Sequence, residues 1–346
     1  GGGDGEWVVV DQTYTEVARV RAGNGYATAL DDMTITPWHT ALVLASGPAA
    51  GGQVRESVVQ EVDIRSEQVL FEWHSHEHVG VDESVAPRPA TGPYDYFHAT
   101  SVDLDEEANL LVSARNTSAI YRIANPGGEV LWRLGGRRSD FRMGPGATFA
   151  GQHDAGLPAE GQVAMFDNGP PGRPSRGLVL AVDTPSMAAT VHQELAHPHG
   201  RHAASGGNLQ LLDGDRVFIG WGSLPSFSEF AGDGRLLYDA RFAGGNTSYR
   251  AFRAPWVAQP LDSPAVTVEV EDSRRATVYA SWNGATEVAE WRVLAGGGDA
   301  LEPAASSPRR GFETAIPLDT VPALVAVAAV NSAGEVLATS RRARLT

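Results

Sequence analysis

The chain has 346 residues, 42% of them hydrophobic and 20% charged, enough for a sizeable buried core and more than one domain. Its formal charge of -15 disfavours nucleic acid and anionic membrane surfaces as partners, and all 27 of its basic residues are arginine. With neither cysteine nor lysine, thiolate nucleophiles, disulfides, zinc–cysteine sites, Schiff bases and P-loop lysines are excluded, so any chemistry falls to His, Asp, Glu, Arg, Ser, Thr and Tyr.

In chain order, GGGDGEWVVV reads as neither a leader peptide nor a natural start, and GEWVVVDQTYTEVARVRAG reads as the outer two strands of a module whose first half lies upstream. Short aliphatic or β-branched runs then follow one another, among them TALVLAS, NLLVSA, GLVLAVD and RVFIGWG, each bounded by Gly, Pro, Asp or Asn. They recur in four copies, beginning at ALDDMTITPWHTALVLAS, FHATSVDLDEEANLLVSARN, QHDAGLPAEGQVAMFDNG and GGNLQLLDGDRVFIGWGS. Each copy supplies four strands, which predicts the radial blades of a β-propeller over residues 1–257, incomplete at its front. After the linker VAQPLDSP, residues 263–346 carry turn signals every few residues and Trp282 on an early strand, predicting a small fibronectin-III/Ig-like β-sandwich. No apolar run approaches the roughly 20 residues of a membrane span, so no membrane insertion is expected.

In a propeller the residues that open the innermost strands converge on the central channel. His98 and His153 open two successive inner strands; Arg115 and Asn116 follow the second strand of the His98 module, and Asp167 and Asn168 hold the equivalent place after His153. A lone histidine at a strand start is usually a hydrogen-bonded structural residue, and what sets these two apart is the repeated register. Imidazole titrates near neutrality and guanidinium stays charged, so two histidines and an arginine around one cavity suit an anion whose charge moves during transfer.

The stretches DYFHATSVDLDEEANLLVSARNTSAIYRI, VLWRLGGRRSDFRMGPG, FAGQHDA, FDNG, VFIGWG, SEF, GRLLYDARF and SYRAFRAPW carry a resemblance to the bacterial arylsulfate sulfotransferase (ASST-like) family, from about residue 6 to residue 256. The resemblance implies a six-bladed propeller that moves a sulfuryl group from an aryl sulfate to a phenol through a sulfohistidine, without a nucleotide sulfate donor or other cofactor. It implies His153 as nucleophile, His98 as the partner of the leaving or attacking oxygen, and Arg115 as the cation on the sulfuryl oxygens. It also implies a secreted or cell-envelope location. Asn168 and Asn116 are expected to orient these groups, Arg250 to reach the channel, and Trp221, Phe97 and Tyr249 to offer an aromatic pocket for a phenol. Two positions depart from the family pattern: Asp31 stands where members commonly carry a histidine, and Thr100 where an asparagine is common. Two other functions fit the same residues, a propeller that only binds, and acid/base chemistry by His98 and His153 on an aromatic natural product.

Other signals are weaker. His74, His76 and His78 alternate and would share one face of a strand, a geometry able to ligate a metal, although a polar strand end is the plainer reading. HPHGRH, residues 197–202, reads as a solvated loop, His192 as ordinary surface, and Arg137, Arg138 and Arg142 as a turn tied by Asp140.

Overall fold

The computed structural model describes residues 5–298 and 300–344, and its regular structure is almost entirely strand. The chain divides into two compact units, one reaching to Val8 and then running Ala18–Arg253, the other made of Val9–Val17 and of the chain from Ala254 onward.

A hairpin of β1 (Trp7–Val10) and β2 (Glu16–Val20) comes first. Four antiparallel sheets follow, each an up-and-down meander in chain order. The first holds β3 (Ala27–Ile35), β4 (Thr40–Ala49), β5 (Val54–Asp63) and β6 (Val69–His74); a helical turn α1 (Ser75–His78) leads on to β7 (Tyr94–Asp95), which joins β5 in parallel. The second holds β8 (Ala99–Leu104), β9 (Leu110–Ala114), β10 (Ala119–Ile123) and β11 (Val130–Gly135). After β12 (Arg142–Met143), the third runs through β13 (His153–Gly156), β14 (Gln162–Asp167), β15 (Arg176–Asp183) and β16 (Ala188–Ala196), with β12 in parallel on its outer edge. The fourth holds β17 (Asn208–Leu212), β18 (Arg216–Gly220), β19 (Ser226–Phe230) and β20 (Leu236–Arg241). Successive four-stranded meanders whose first strands pack on one another make this unit propeller-type.

Second strands are buried on both faces because neighbouring sheets cover each side. All five residues of β9 are buried, as are the first six of β4, which is why these segments read as unbroken apolar runs. Outer strands alternate instead, as in β16, where one face meets solvent.

Side-chain hydrogen bonds tie each first strand to the next. Asp32 Oδ2 accepts from the Val102 amide at 3.0 Å, Ser101 Oγ from the Ala155 amide at 3.0 Å, and Asp154 Oδ2 from the Leu209 amide at 3.1 Å. The same three first strands break register, between Thr28 and Met33, Ala99 and Ser101, and His153 and Gly156. Such bulges re-aim side chains beside functional sites. Asp31 and Asp32 lie inside β3 at its bulge.

In the second unit β21 (Ala265–Val270), β22 (Ala276–Ser281), β23 (Glu290–Gly296), β24 (Glu302–Pro308), β25 (Glu313–Leu318), β26 (Leu324–Val330), β27 (Val336–Thr339) and β28 (Ala343–Arg344) form two antiparallel sheets. One has the order β21-β22-β25, the other β24-β23-β26-β27 with β28 also on β26. Inward residues Val278, Trp282, Trp291, Ile316 and Val327 share one core, and β25 alternates strictly between buried and exposed, so the unit is a β-sandwich.

Candidate active site

His153 begins β13 and is 1% exposed. Its Nδ1 lies 2.8 Å from Asn168 Oδ1 and 3.0 Å from Gly151 O, both acceptors, so Nδ1 carries the proton. Nε2 therefore holds the lone pair and accepts from the Gly206 amide at 3.2 Å. Burial pushes the imidazole down to about 3; the bond to Asn168 opposes this, while the charges of Arg115 and Arg250 add to it. The ring is neutral at physiological pH and offers a nucleophilic nitrogen.

Asn168, at the end of β14, is 2% exposed and uses both ends of its amide. Oδ1 faces His153, and Nδ2 donates to Ala203 O at 2.9 Å and Gly206 O at 3.1 Å. Arg115, just after β9, donates from Nη2 to Ala204 O at 2.9 Å and makes no ion pair among the described residues. The 203–206 loop thus rests on both residues while its Gly206 amide covers Nε2.

His98 precedes β8 with φ +57, a left-handed conformation costly for a residue with a Cβ. Its Nδ1 contacts Asp95 Oδ2 at 2.6 Å, and Asn116 Nδ2 donates to Asp95 O at 2.7 Å, so the two residues form a braced dyad. The sequence reading missed Asp95; a carboxylate three residues before a candidate histidine, within DYFH, was the available signal. His98 lines a cavity of 260 Å³ together with Asp31, Arg55, Ser57, Asp95 and apolar neighbours. His153 and Arg115 do not line it. Tyr249 stands between: its hydroxyl donates to Asp31 Oδ1 at 3.1 Å, and its ring packs edge-on against His153 at 6.1 Å. Burial and the nearby Asp31 push the Tyr249 phenol up.

The guanidinium of Arg250 is taken by protein groups. Nη1 lies 2.6 Å from Asp32 Oδ1 and 3.3 Å from Asp154 Oδ1, and Nη2 donates to Thr100 O at 3.0 Å. Burial pushes Asp154 up to about 6 against the pull of Arg250.

Several expectations need correction. Thr100 is fully buried, with its hydroxyl on Gln152 O at 3.0 Å and Ser113 Oγ at 3.1 Å, so it packs sheets together and lines no substrate space. Trp221 is fully buried against Phe166 and His197 with its Nε1 on Ser228 Oγ, and Phe97 is equally enclosed; neither offers a surface to a phenol. His197 of HPHGRH is 5% exposed, not solvated. His74, His76 and His78 do not share a strand face: His74 ends β6 between Glu56 and Glu72, and His78, on the helical turn, stacks on Trp73. Among the described residues no group of three or more His, Asp or Glu is arranged to hold a metal, and no helix is long and apolar enough to cross a membrane.

The four meanders make this a propeller-type β-protein that carries a buried neutral histidine, an arginine with no ion pair among the described residues and a His–Asp dyad. The chain belongs to the arylsulfotransferase (ASST) family, whose profile matches residues 1–243. Membership makes it a sulfotransferase of the arylsulfotransferase type. Among curated proteins none matches it. Similar solved structures are remote. They include a protein of unknown function from Bacteroides caccae (14% identity, TM-score 0.44, covering 69% of this chain and 76% of that one) and hydrazine synthase from Kuenenia stuttgartiensis (11%, 0.36, 90% and 65%). A third is virginiamycin B lyase from Staphylococcus aureus (7%, 0.32, 91% and 83%).

Proposed function

We propose that the chain transfers a sulfuryl group from an aryl sulfate to a phenol through sulfated His153, without a nucleotide donor. The observation that carries this reading is the tautomer of His153. Asn168 and Gly151 hold the proton on Nδ1, which leaves Nε2 as a neutral nucleophile beside the unpaired Arg115. In the first displacement Nε2 forms the N–S bond as the bond from sulfur to the aryl oxygen breaks, and the departing oxygen takes a proton from His98. In the second, an incoming phenol gives its proton to His98 and forms the O–S bond while the N–S electron pair returns to Nε2. Arg115 faces the charge spread over the sulfuryl oxygens, a load resembling that of phosphoryl transfer. Attack requires the Gly206 amide to release Nε2, and a freed amide there is itself a donor for a sulfuryl oxygen.

On the family resemblance we also place the protein in the secreted or cell-envelope compartment, and read the second unit as a fibronectin-type-III-like spacer. The enclosure of His153 favours one rival, a propeller that binds aromatic ligands without transfer. Exposure to a chromogenic aryl sulfate with a phenol acceptor separates the two. Transfer predicts donor turnover that His153→Ala abolishes and a sulfated peptide containing His153; equal turnover by both proteins removes His153 from the reaction.

A further inference from the structure

The 260 Å³ cavity beside His98 contains two groups of opposite charge that form no ion pair among the described residues. Arg55, at the start of β5, reaches only Ser46 Oγ, at 3.5 Å, and forms no ion pair among the described residues. Among the described residues the Asp31 carboxylate has one side-chain hydrogen-bond partner, the uncharged hydroxyl of Tyr249. The other two ionisable groups of the lining, Asp95 and His98, are paired with each other through His98 Nδ1, and His98 Nε2 makes no hydrogen bond among the described residues. The remaining wall includes Ala29, Leu44 and Ala99, which suit the face of a ring. The volume lies just below that of drug-sized pockets, which begin at about 300 Å³, so it fits one substituted ring.

We propose that the acceptor taken here is a zwitterionic single-ring phenol, an aromatic amino acid of the tyrosine type, with its carboxylate on Arg55, its ammonium on Asp31 and its phenol oxygen at His98 Nε2. The proposal rests on the transfer reading above and names the substrate class of that same site. An ammonium on Asp31 displaces the Tyr249 hydroxyl, so a zwitterionic acceptor holds open the same path past the Tyr249 ring that the aryl sulfate crosses in the first displacement. In the step that follows, the phenol oxygen bonds to sulfur, the N–S electron pair returns to His153 Nε2, and the phenol proton passes to His98 Nε2.

The test compares four acceptors of matched ring size: tyrosine, tyramine, 3-(4-hydroxyphenyl)propionate and 4-ethylphenol. Charge-assisted contacts predict a kcat/KM for tyrosine about tenfold or more above that for 4-ethylphenol. Arg55→Ala removes the advantage of the two carboxylated acceptors and keeps that of tyramine; Asp31→Asn does the reverse. Tyr249→Phe narrows the gap between tyrosine and 4-ethylphenol, since no latch remains to be displaced. Equal use of all four acceptors by the wild type overturns the proposal. So does a uniform loss across the series in Arg55→Ala, which would place Arg55 on the donor. If no acceptor is sulfated and no sulfated His153 forms, the transfer reading has failed instead. Calorimetric titration with tyrosine then decides the site: binding weakened about tenfold in either charge variant supports it, and no binding to the wild type overturns it.

Discussion

Asn168 performs two tasks with one amide. Its oxygen fixes the proton of His153 on Nδ1, and its nitrogen holds the loop whose Gly206 amide covers Nε2. Asn168→Ala removes both, and a hydrogen bond to a group that becomes charged is worth about 1.5–3 kcal/mol, so a fall in turnover of about tenfold or more is expected. A tautomer role also changes the pH profile of turnover, which simple loosening of the loop would not, and rate measurements across the acid limb distinguish them. A second prediction concerns stability. His153 is pushed from 6.5 down to about 3, so the unfolded chain binds its proton more readily; its contribution is whole above 6.5 and is lost as pH falls. Asp154 is pushed from 3.8 up to about 6, so its contribution is present below 3.8 and is lost as pH rises. Between 3.8 and about 6 the two oppose each other. Asp154→Asn leaves the histidine unopposed, and its urea midpoint is expected to climb more steeply with pH across that window than the wild type's.

At the scale of elements, the loop over His153 is held by a seam of glycines. Gly206 has φ +64 and Gly207 φ +102, and a Cβ on Gly206 would lie 2.7 Å from Tyr249 O. One on Gly207 would collide with the Phe166 ring, and one on Gly222 with Ser205 O. Gly207→Ala is therefore expected to cost about 1–3 kcal/mol in urea unfolding, through both overpacking and left-handed backbone strain. A mutant of unchanged stability would show that the loop moves freely, which would separate the capping of Nε2 from packing. The strands on either side were legible because their apolar runs and turn residues are local signals. The bulges in β3, β8 and β13 were not, since a bulge is defined by the partner strand, and they decide where Asp31, Thr100 and Asp154 point.

Across the whole molecule, Arg250 joins the end of the first unit to three of its first strands through Asp32, Thr100 O and Asp154. Removing one member of a buried charge group leaves the others uncompensated, at a cost of about 3–5 kcal/mol. Arg250→Ala is thus expected to lower the melting temperature of the first unit. The sandwich around Trp282 and Trp291 has a separate core, so its melting is expected to stay in place. Calorimetry that shows one transition moving and the other fixed agrees with this, whereas two transitions moving together would contradict it.

The β-modules, the sandwich, and the candidacy of His98, Arg115 and His153 could all be read from the sequence, because strand periodicity and repeat register are carried by neighbouring residues. Only the tertiary structure decided which nitrogen of His153 is free, that Arg250 is occupied by carboxylates, and that Thr100 and Trp221 are enclosed. It alone brought Arg55 into the cavity that His98 lines. Those facts depend on groups far apart in the chain meeting across sheets, and a hydrogen bond between residues 153 and 206 leaves no local trace in the amino-acid order.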